Sequence, residues 1–457
     1  MRARSLVWLL AASSLGCSWS RYDDVVSGSP IVLLNRPKSL SNGFGSSLAT
    51  GNPSDDRVTL LVGGSPLQAG GAEFELGTSD NPTLQARDQG HCLGSKAPCF
   101  FSSTPVALAR AKGPSATPEA LCFVDGAGTA ASETGVVVRC VDSDVEYALD
   151  MPDAPRKLLD FSIDNAQATP FRFGADRGPD PALLASADEE SAVWYYPSLN
   201  RNFVDIPNPG DAKGKWAKPQ PRNLAIARVG GDAKLLAVGA PDEGSVRLFL
   251  APDGVTPSYV GCLGGTSSFG RAFATGPVVA GDDEDELVIS DSSIVYVFDA
   301  AKLATLPPTT NADCSLGSLP EGALVTSFGC GSTKNISGCG SSEFGVALGV
   351  GDLDGDGDGE VVVGAPSMTV RHSSRAGAVL IYDVEPAKSG AGGHLYDLKD
   401  IAFLSSAEAD DQLGRSIALP NLGKRQLLVA GAPGGGKAAL FYCPSFLPPE
   451  LAGGRCN

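Results

Sequence analysis

Residues 352 to 366 read DLDGDGDGEVVVGAP, with acidic residues at every second position and glycines between them. Calcium takes about six to eight hard oxygens, and a tight turn with carboxylates at alternate positions supplies them. Asp352, Asp354 and Asp356 hold positions one, three and five of such a turn. Gly357 allows the bend, Asp358 offers its backbone carbonyl, and Glu360 stands at position nine. An EF-hand needs a bidentate Glu at position twelve, where this chain has Val363 inside an apolar run. The expected chemistry is calcium binding for structure, in a loop that is not an EF-hand. The alternative, a solvated acidic turn, leaves several carboxylates crowded together without a counter-charge. GDDEDE at 281 to 286 is acidic but out of register, and SDD at 54 to 56 is sparser.

Catalytic chemistry is thinly supplied. GAPGGGKA from Gly431 fits Gly-x-x-x-x-Gly-Lys but ends in Ala438, where a phosphate-binding loop needs Ser or Thr for magnesium. The AALFY that follows reads as a strand, with no helix N-terminus to hold phosphate. The three histidines, His91, His372 and His394, have no metal-ligand spacing and accompany no nucleophile elbow. His372 is expected in an exposed hairpin, and WYY at 194 to 196 in a packed strand. Two carboxylates brought together by a fold leave no sequence signature, so an extracellular polysaccharide lyase or hydrolase stays as the alternative function.

The elements that must carry the acidic turn repeat along the chain. FGVALGVGDLDGDGDGEVVVGAPSMTV from Phe344 is matched by FGSSLATGNPSDDRVTLLVGGSP from Phe44. RNLAIARVGGDAKLLAVGAPDEGSVRLFL from Arg222, FGRAFATGPVVAGDDEDELVISDSSIVYVF from Phe269 and LGRSIALPNLGKRQLLVAGAPGGGKAALFY from Leu413 follow the same layout. Looser copies start at Phe171 and Thr104. Each copy reads as strand, polar turn, apolar strand, Gly-x-Pro break and third strand, with a fourth strand before the next Phe-Gly. Such a sheet cannot bury both faces alone, and stacking copies about an axis solves this as a β-propeller. Seven copies predict an all-β, seven-bladed β-propeller. The last copy lacks an outer strand, and residues 30 to 35 precede the first copy without a sheet of their own. The expected ring is therefore closed by this N-terminal outer strand pairing with the last blade.

Phe-Gly, the acidic Gly-rich turn and Gly-Ala-Pro resemble FG-GAP repeats, as in the propeller of integrin alpha subunits. The resemblance is specific from Phe344, good from Phe44, Phe269 and Leu413, and loose in the second and third copies. It implies a propeller that holds calcium in some hairpins and binds ligands through loops on one face, and it does not imply an enzyme. The acidic turn resembles the integrin calcium pattern Asp-x-Asp-x-Asp-Gly-x-x-Asp, with Glu360 in place of the final Asp.

The 457-residue chain has 56 Gly, 33 Pro and 19% charged residues, which suits short strands and tight turns. Its net charge of −17 excludes nucleic acid as the main partner. The N-terminus MRARSLVWLLAASSLGCSW has the layout of an export signal. Its Ser14-Leu15-Gly16-Cys17 ending resembles a bacterial lipobox, with Ser14 where that family usually has Leu. Residues 1–17 are thus expected as a signal with Cys17 lipidated, 18–29 as a linker, 30–445 as the propeller and 446–457 as a tail. Of the 11 cysteines, setting Cys17 aside leaves an even ten for disulfides in an oxidising compartment. Spacing suggests Cys92 with Cys99, Cys122 with Cys140, Cys262 with Cys314, Cys330 with Cys339, and Cys443 with Cys456. The reading is an exported integrin-like module with structural calcium, anchored as an outer-membrane lipoprotein on the periplasmic or surface side. It acts as a monomer that binds an extracellular or envelope protein or glycan. The expected ligand surface is the long insertions at 78–103 and 303–343.

Overall fold

The computed structural model describes the strands named below, the turns and connections within 43–63, 203–209, 223–240, 243–252, 256–279, 284–306, 319–330, 342–353, 356–386 and 408–441, and isolated residues such as Trp216 and Cys314. Residues 55–56, 354–355, 371 and 423–424 inside those spans are not described, nor are residues 1–30 and 442–457.

The fold is all-β and antiparallel. β1 (Ile31–Asn35) stands before the first complete sheet, which is β2 (Ser47–Ser54), β3 (Arg57–Gly63), β4 (Gly71–Gly77) and β5 (Leu84–Arg87). The second is β6 (Ala107–Ala111), β7 (Ala120–Asp125), β8 (Val137–Cys140) and β9 (Glu146–Ala148). The third is β10 (Phe171–Ala175), β11 (Leu183–Ala187), β12 (Ala192–Tyr196) and β13 (Val204–Asp205). The fourth is β14 (Asn223–Arg228), β15 (Lys234–Ala240), β16 (Ser245–Ala251) and β17 (Ser258–Gly264). The fifth holds β18 (Phe273–Gly276), β19 (Glu286–Ser290), β20 (Ile294–Asp299) and, after the short helix α1 (Ala300–Ala304), β21 (Leu324–Gly329). The sixth is β22 (Leu348–Gly351), β23 (Glu360–Ala365), β24 (Ala378–Pro386) and β25 (Tyr396–Ser405). The last copy supplies β26 (Ile417–Ala418), the small hairpin β27 (Asn421–Leu422) with β28 (Arg425–Gln426), β29 (Leu428–Ala432) and β30 (Lys437–Phe441).

The last sheet has the order β1-β30-β29-β26, so its outer strand comes from the N-terminus. β1 pairs antiparallel with β30, Ile31 opposite Phe441 and Asn35 opposite Lys437. The fourth strand expected before the last copy is present as β25, paired along β24.

Period-two alternation explains why one sheet needs two neighbours. Val361 and Val363 pack in a cluster with Val288, Val297 and Phe328 of the fifth sheet. Val362, between them, packs with Leu413, Leu428 and Phe441 of the last copy. Both faces of β23 are therefore buried, which is why it reads as an unbroken apolar run. Leu34, Phe44, Leu60 and Val62 share a cluster with Val429 and Leu440, so the first and last copies are packed on each other in the same way. WYY lies in β12 with Trp194, Tyr195 and Tyr196 all buried, as packing requires.

The repeated glycines have a specific use at these seams. The Gly345 N–H donates to Gly364 O at 2.9 Å, and the Gly414 N–H to Gly431 O at 3.0 Å, tying each Phe-Gly or Leu-Gly to its own Gly-Ala-Pro. A Cβ on Gly364 would overlap the Gly414 carbonyl of the next copy, and one on Gly431 would overlap the carbonyl of Gly45 in the first copy. The contact between last and first copies thus repeats the one between sixth and last.

Candidate functional site

In each four-stranded antiparallel sheet, the turn between first and second strands and the turn between third and fourth lie at one end of the sheet. The Phe-Gly segment that leads into the first strand and the second-to-third hairpin lie at the other.

The acidic turn joins β22 to β23 at the first of these ends of the sixth sheet, with Gly351 opposite Glu360 in register. Asp352 and Asp358 are half-buried and Asp356 is exposed. The Asp358 N–H donates to Asp356 Oδ1 at 3.0 Å, and Gly357 adopts φ +107°, which lets the chain reverse. Burial pushes the Asp358 carboxyl above its ordinary range, and the neighbouring charges of Asp356 and Asp352 push it further. These acids repel one another, and a cation would relieve that. Asp354 lies outside the described residues, and among the described residues no group of three acids, histidines or cysteines is arranged to hold a metal. The donor chemistry, hard oxygens crowded around one glycine-rich reversal, fits calcium.

Glu360 has a use that spacing did not reveal. It is buried, and its Oε2 accepts the Leu353 N–H at 2.6 Å, closing the turn from beneath. Glu286 does the same in the fifth sheet, accepting Val278 N–H at 2.6 Å and Val279 N–H at 3.1 Å. A buried Glu opening the second strand is therefore a brace for the preceding turn, with or without the Asp set. One more of the out-of-register acids of that sheet is engaged as well. Asp285 is buried and takes the Arg228 N–H at 2.9 Å and the Arg228 guanidinium at 3.0 Å.

At the opposite end of the sixth sheet, Glu343 is gripped from two sides. Arg271 reaches it at 3.3 Å from the fifth copy, Arg415 at 3.4 Å from the last, and the Ser367 hydroxyl donates at 2.5 Å. Burial pushes the Glu343 carboxyl up, but Ser367 and the two guanidiniums outweigh it and hold the group below its ordinary range. This arc across three copies was missed in the sequence. The signal present was an arginine directly after Phe-Gly and after Leu-Gly. In the same region His372 is exposed in the hairpin between β23 and β24, as expected.

The phosphate-loop look-alike is excluded by its lysine, because Lys437 is buried against Asp411 at 2.8 Å and Glu408 at 3.0 Å. Of the expected disulfides, Cys262–Cys314 is formed. Cys330 is likewise disulfide-bonded, and Cys339 lies outside the described residues. Cys122 and Cys140 stand directly opposite in the register of β7 and β8. Cys17, Cys92, Cys99, Cys443 and Cys456 lie outside the described residues, as does most of both long insertions. No described helix is long and apolar enough to cross a membrane.

Residues 344–382, the Phe-Gly, acidic turn and Gly-Ala-Pro just described, match the FG-GAP repeat family. The chain carries an FG-GAP repeat. The match covers the sixth copy alone. Among solved structures, the chain is similar to one described as BBS1N in complex with ARL6DN, soaked with lead. The two share 10% identity with a TM-score of 0.48, over 91% of this chain and 99% of that one. No curated protein matches.

Proposed function

We propose that the chain is a binding or scaffolding module of the cell envelope, exported and lipid-anchored through Cys17, and not an enzyme. Its sheets form a closed seven-bladed propeller, a reading supported by the Gly431–Gly45 contact and the β1–β30 pairing at the last-to-first seam. The observation that carries the functional reading is the separation of faces. The acidic turn lies on one face, whereas Arg271, Glu343, Arg415 and the connections between copies lie on the other.

Calcium is a brace in this reading. Asp352, Asp354, Asp356 and Glu360 would hold it through carboxylates and Asp358 through its carbonyl, and the ion supplies the charge neutralisation that the turn lacks. Leu353 anchors the turn in the core between the sixth and last sheets, and the Gly359 N–H reaches Pro277 O of the fifth at 2.6 Å. The turn is thereby coupled to both neighbours. The partner, an extracellular or envelope protein or glycan, meets the opposite face, and the module works as a monomer.

The test is thermal unfolding of the mature chain with and without chelator, for wild type and Asp354→Ala. At calcium about 100 times its dissociation constant the ion stabilises by about 2.7 kcal/mol. Chelation then lowers Tm by roughly 3 °C for a unit this size, and Asp354→Ala loses the response. An unchanged wild-type Tm removes calcium from the account. Capture of partners on intact cells, with Arg415→Glu as the variant, tests the surface. Capture that survives Arg415→Glu but is lost on substitution of the acidic-turn face assigns the wrong face.

A further inference from the structure

The fourth sheet contains a buried cation with an unusual partner. Arg247 lies on β16 directly opposite Cys262 of β17, and Cys262 is bonded to Cys314 from the connection between β20 and β21. The Arg247 side chain is 10% exposed. Its Nη1 points at Cys314 Sγ and is in contact with it, and that sulfur is a neutral, weak acceptor. Among the described residues the nearest carboxylate is Glu243, 3.7 Å away, beyond hydrogen-bond reach and 39% exposed. A buried guanidinium is ordinarily matched to an anion, because its charge is costly to desolvate. Here the match is a loose ion pair to the partly exposed Glu243, while the sulfur of the oxidised bond beside Arg247 carries no charge.

We propose that Cys262–Cys314 is a redox-responsive bond, poised for cleavage because Arg247 stabilises the Cys314 thiolate released by reduction. Two equivalents of a small-molecule thiolate, such as glutathione, carry out the reaction. The first attacks one sulfur of the bond and forms a mixed disulfide, and the second displaces it as the external disulfide. The two electrons pass to the protein sulfurs. Cys262 takes a proton from water, and Cys314 remains a thiolate against Arg247. A thiolate beside a fixed cation is the better leaving group and the more stable product, so the reduced state adds a direct Arg247–Cys314 ion pair to the looser, half-exposed one that Arg247 makes with Glu243.

The consequence is positional. The bond closes a 52-residue separation and ties the connection of the fifth sheet to the outer strand of the fourth. The packing there is close, since a Cβ on Gly264 would lie 2.5 Å from the Cys314 carbonyl. Half-buried Cys314 is the accessible end of the bond and Cys262 is the anchored one. Reduction releases the connection from its neighbour and leaves the fourth sheet, with its own ladder, in place.

The experiment equilibrates the full mature chain in glutathione buffers of graded thiol-to-disulfide ratio. Differential alkylation and peptide mass spectrometry then read the Cys262–Cys314 bond separately from the other cysteines. Arg247→Gln is expected to demand about a tenfold more reducing ratio at the midpoint, and Arg247→Lys to stay near wild type. In reduced wild type, alkylation of Cys314 titrates well below the ordinary thiol value of about 8.5, and in Arg247→Gln it returns toward it. An unchanged midpoint in Arg247→Gln overturns the proposal. Should that variant fail to fold, ordinary titration of Cys314 in wild type overturns it equally.

Discussion

Leu34 is the side chain through which the N-terminal strand enters the core, so its truncation tests the seam between the ends of the chain. It is 1% exposed and packs among Phe44, Leu60 and Val62 of the first copy and Val429 and Leu440 of the last. Leu34→Ala removes buried methyl groups and leaves a cavity that backbone pairing on β30 holds open, and such changes cost about 2–5 kcal/mol. With an unfolding entropy of about 2 cal/mol/K per residue over roughly 410 residues, a loss near 3 kcal/mol lowers Tm by about 3–4 °C. The same loss lowers the urea midpoint with an unchanged m-value. Asn35→Ala, one residue further along β1 and exposed, is the control and moves neither quantity. The assay is urea and thermal unfolding of the three chains followed by tryptophan fluorescence and far-UV circular dichroism. If Leu34→Ala behaves like Asn35→Ala, with a change below about 0.5 kcal/mol, β1 is an ornament on β30 and the ends of the chain are not stapled through it.

The other outcomes rest on the seams and on the arc across the opposite face. Gly364→Ala forces a methyl group into the Gly414 carbonyl of the next copy, where only backbone can yield. It is expected to cost more than the roughly 1–3 kcal/mol typical of overpacking, and a wild-type urea midpoint refutes the packing role given to the Gly-Ala-Pro glycine. Glu343→Gln removes the charge held between Arg271 and Arg415, and because all three are substantially exposed the cost is below about 1 kcal/mol. Its pH dependence has a definite sign. The Glu343 carboxyl is held below its ordinary 4.5, so its contribution is complete above that value and is lost as pH falls through the lowered one. The stability gap between wild type and Glu343→Gln therefore narrows below pH 4.5, and a gap that widens there contradicts the ion-pair assignment.

The repeat itself was legible because its residues answer to local rules. The apolar runs, the Gly-x-Pro breaks and the spacing of copies predict strands and turns, and β22, β23 and β24 fall where those rules put them. The outer strand of the last sheet was also legible, by counting: one strand was surplus at the N-terminus and one was missing near the C-terminus. The acidic turn was visible as a donor set. Its brace was not, since Glu360 and Glu286 are both acids after an acidic stretch, and a ligand and a buried hydrogen-bond acceptor look alike in one dimension.

What the sequence by itself determined is the local grammar: strand, turn, break and the cysteine count that suggests pairs. Those follow from side-chain alternation and backbone freedom within a few residues. Only the tertiary structure decided which residues meet across copies. Arg271, Glu343 and Arg415 are separated by 72 residues at each step, and they converge because neighbouring copies bring their Phe-Gly and Leu-Gly segments side by side, an arginine after the glycine of one copy meeting the glutamate before the phenylalanine of its neighbour. Arg247 meets Cys314 for a related reason, across 67 residues, when the connection of one sheet folds onto the outer strand of the previous one. Periodicity fixes where a strand points, but only packing fixes what stands opposite, and the charges of this protein act through what stands opposite.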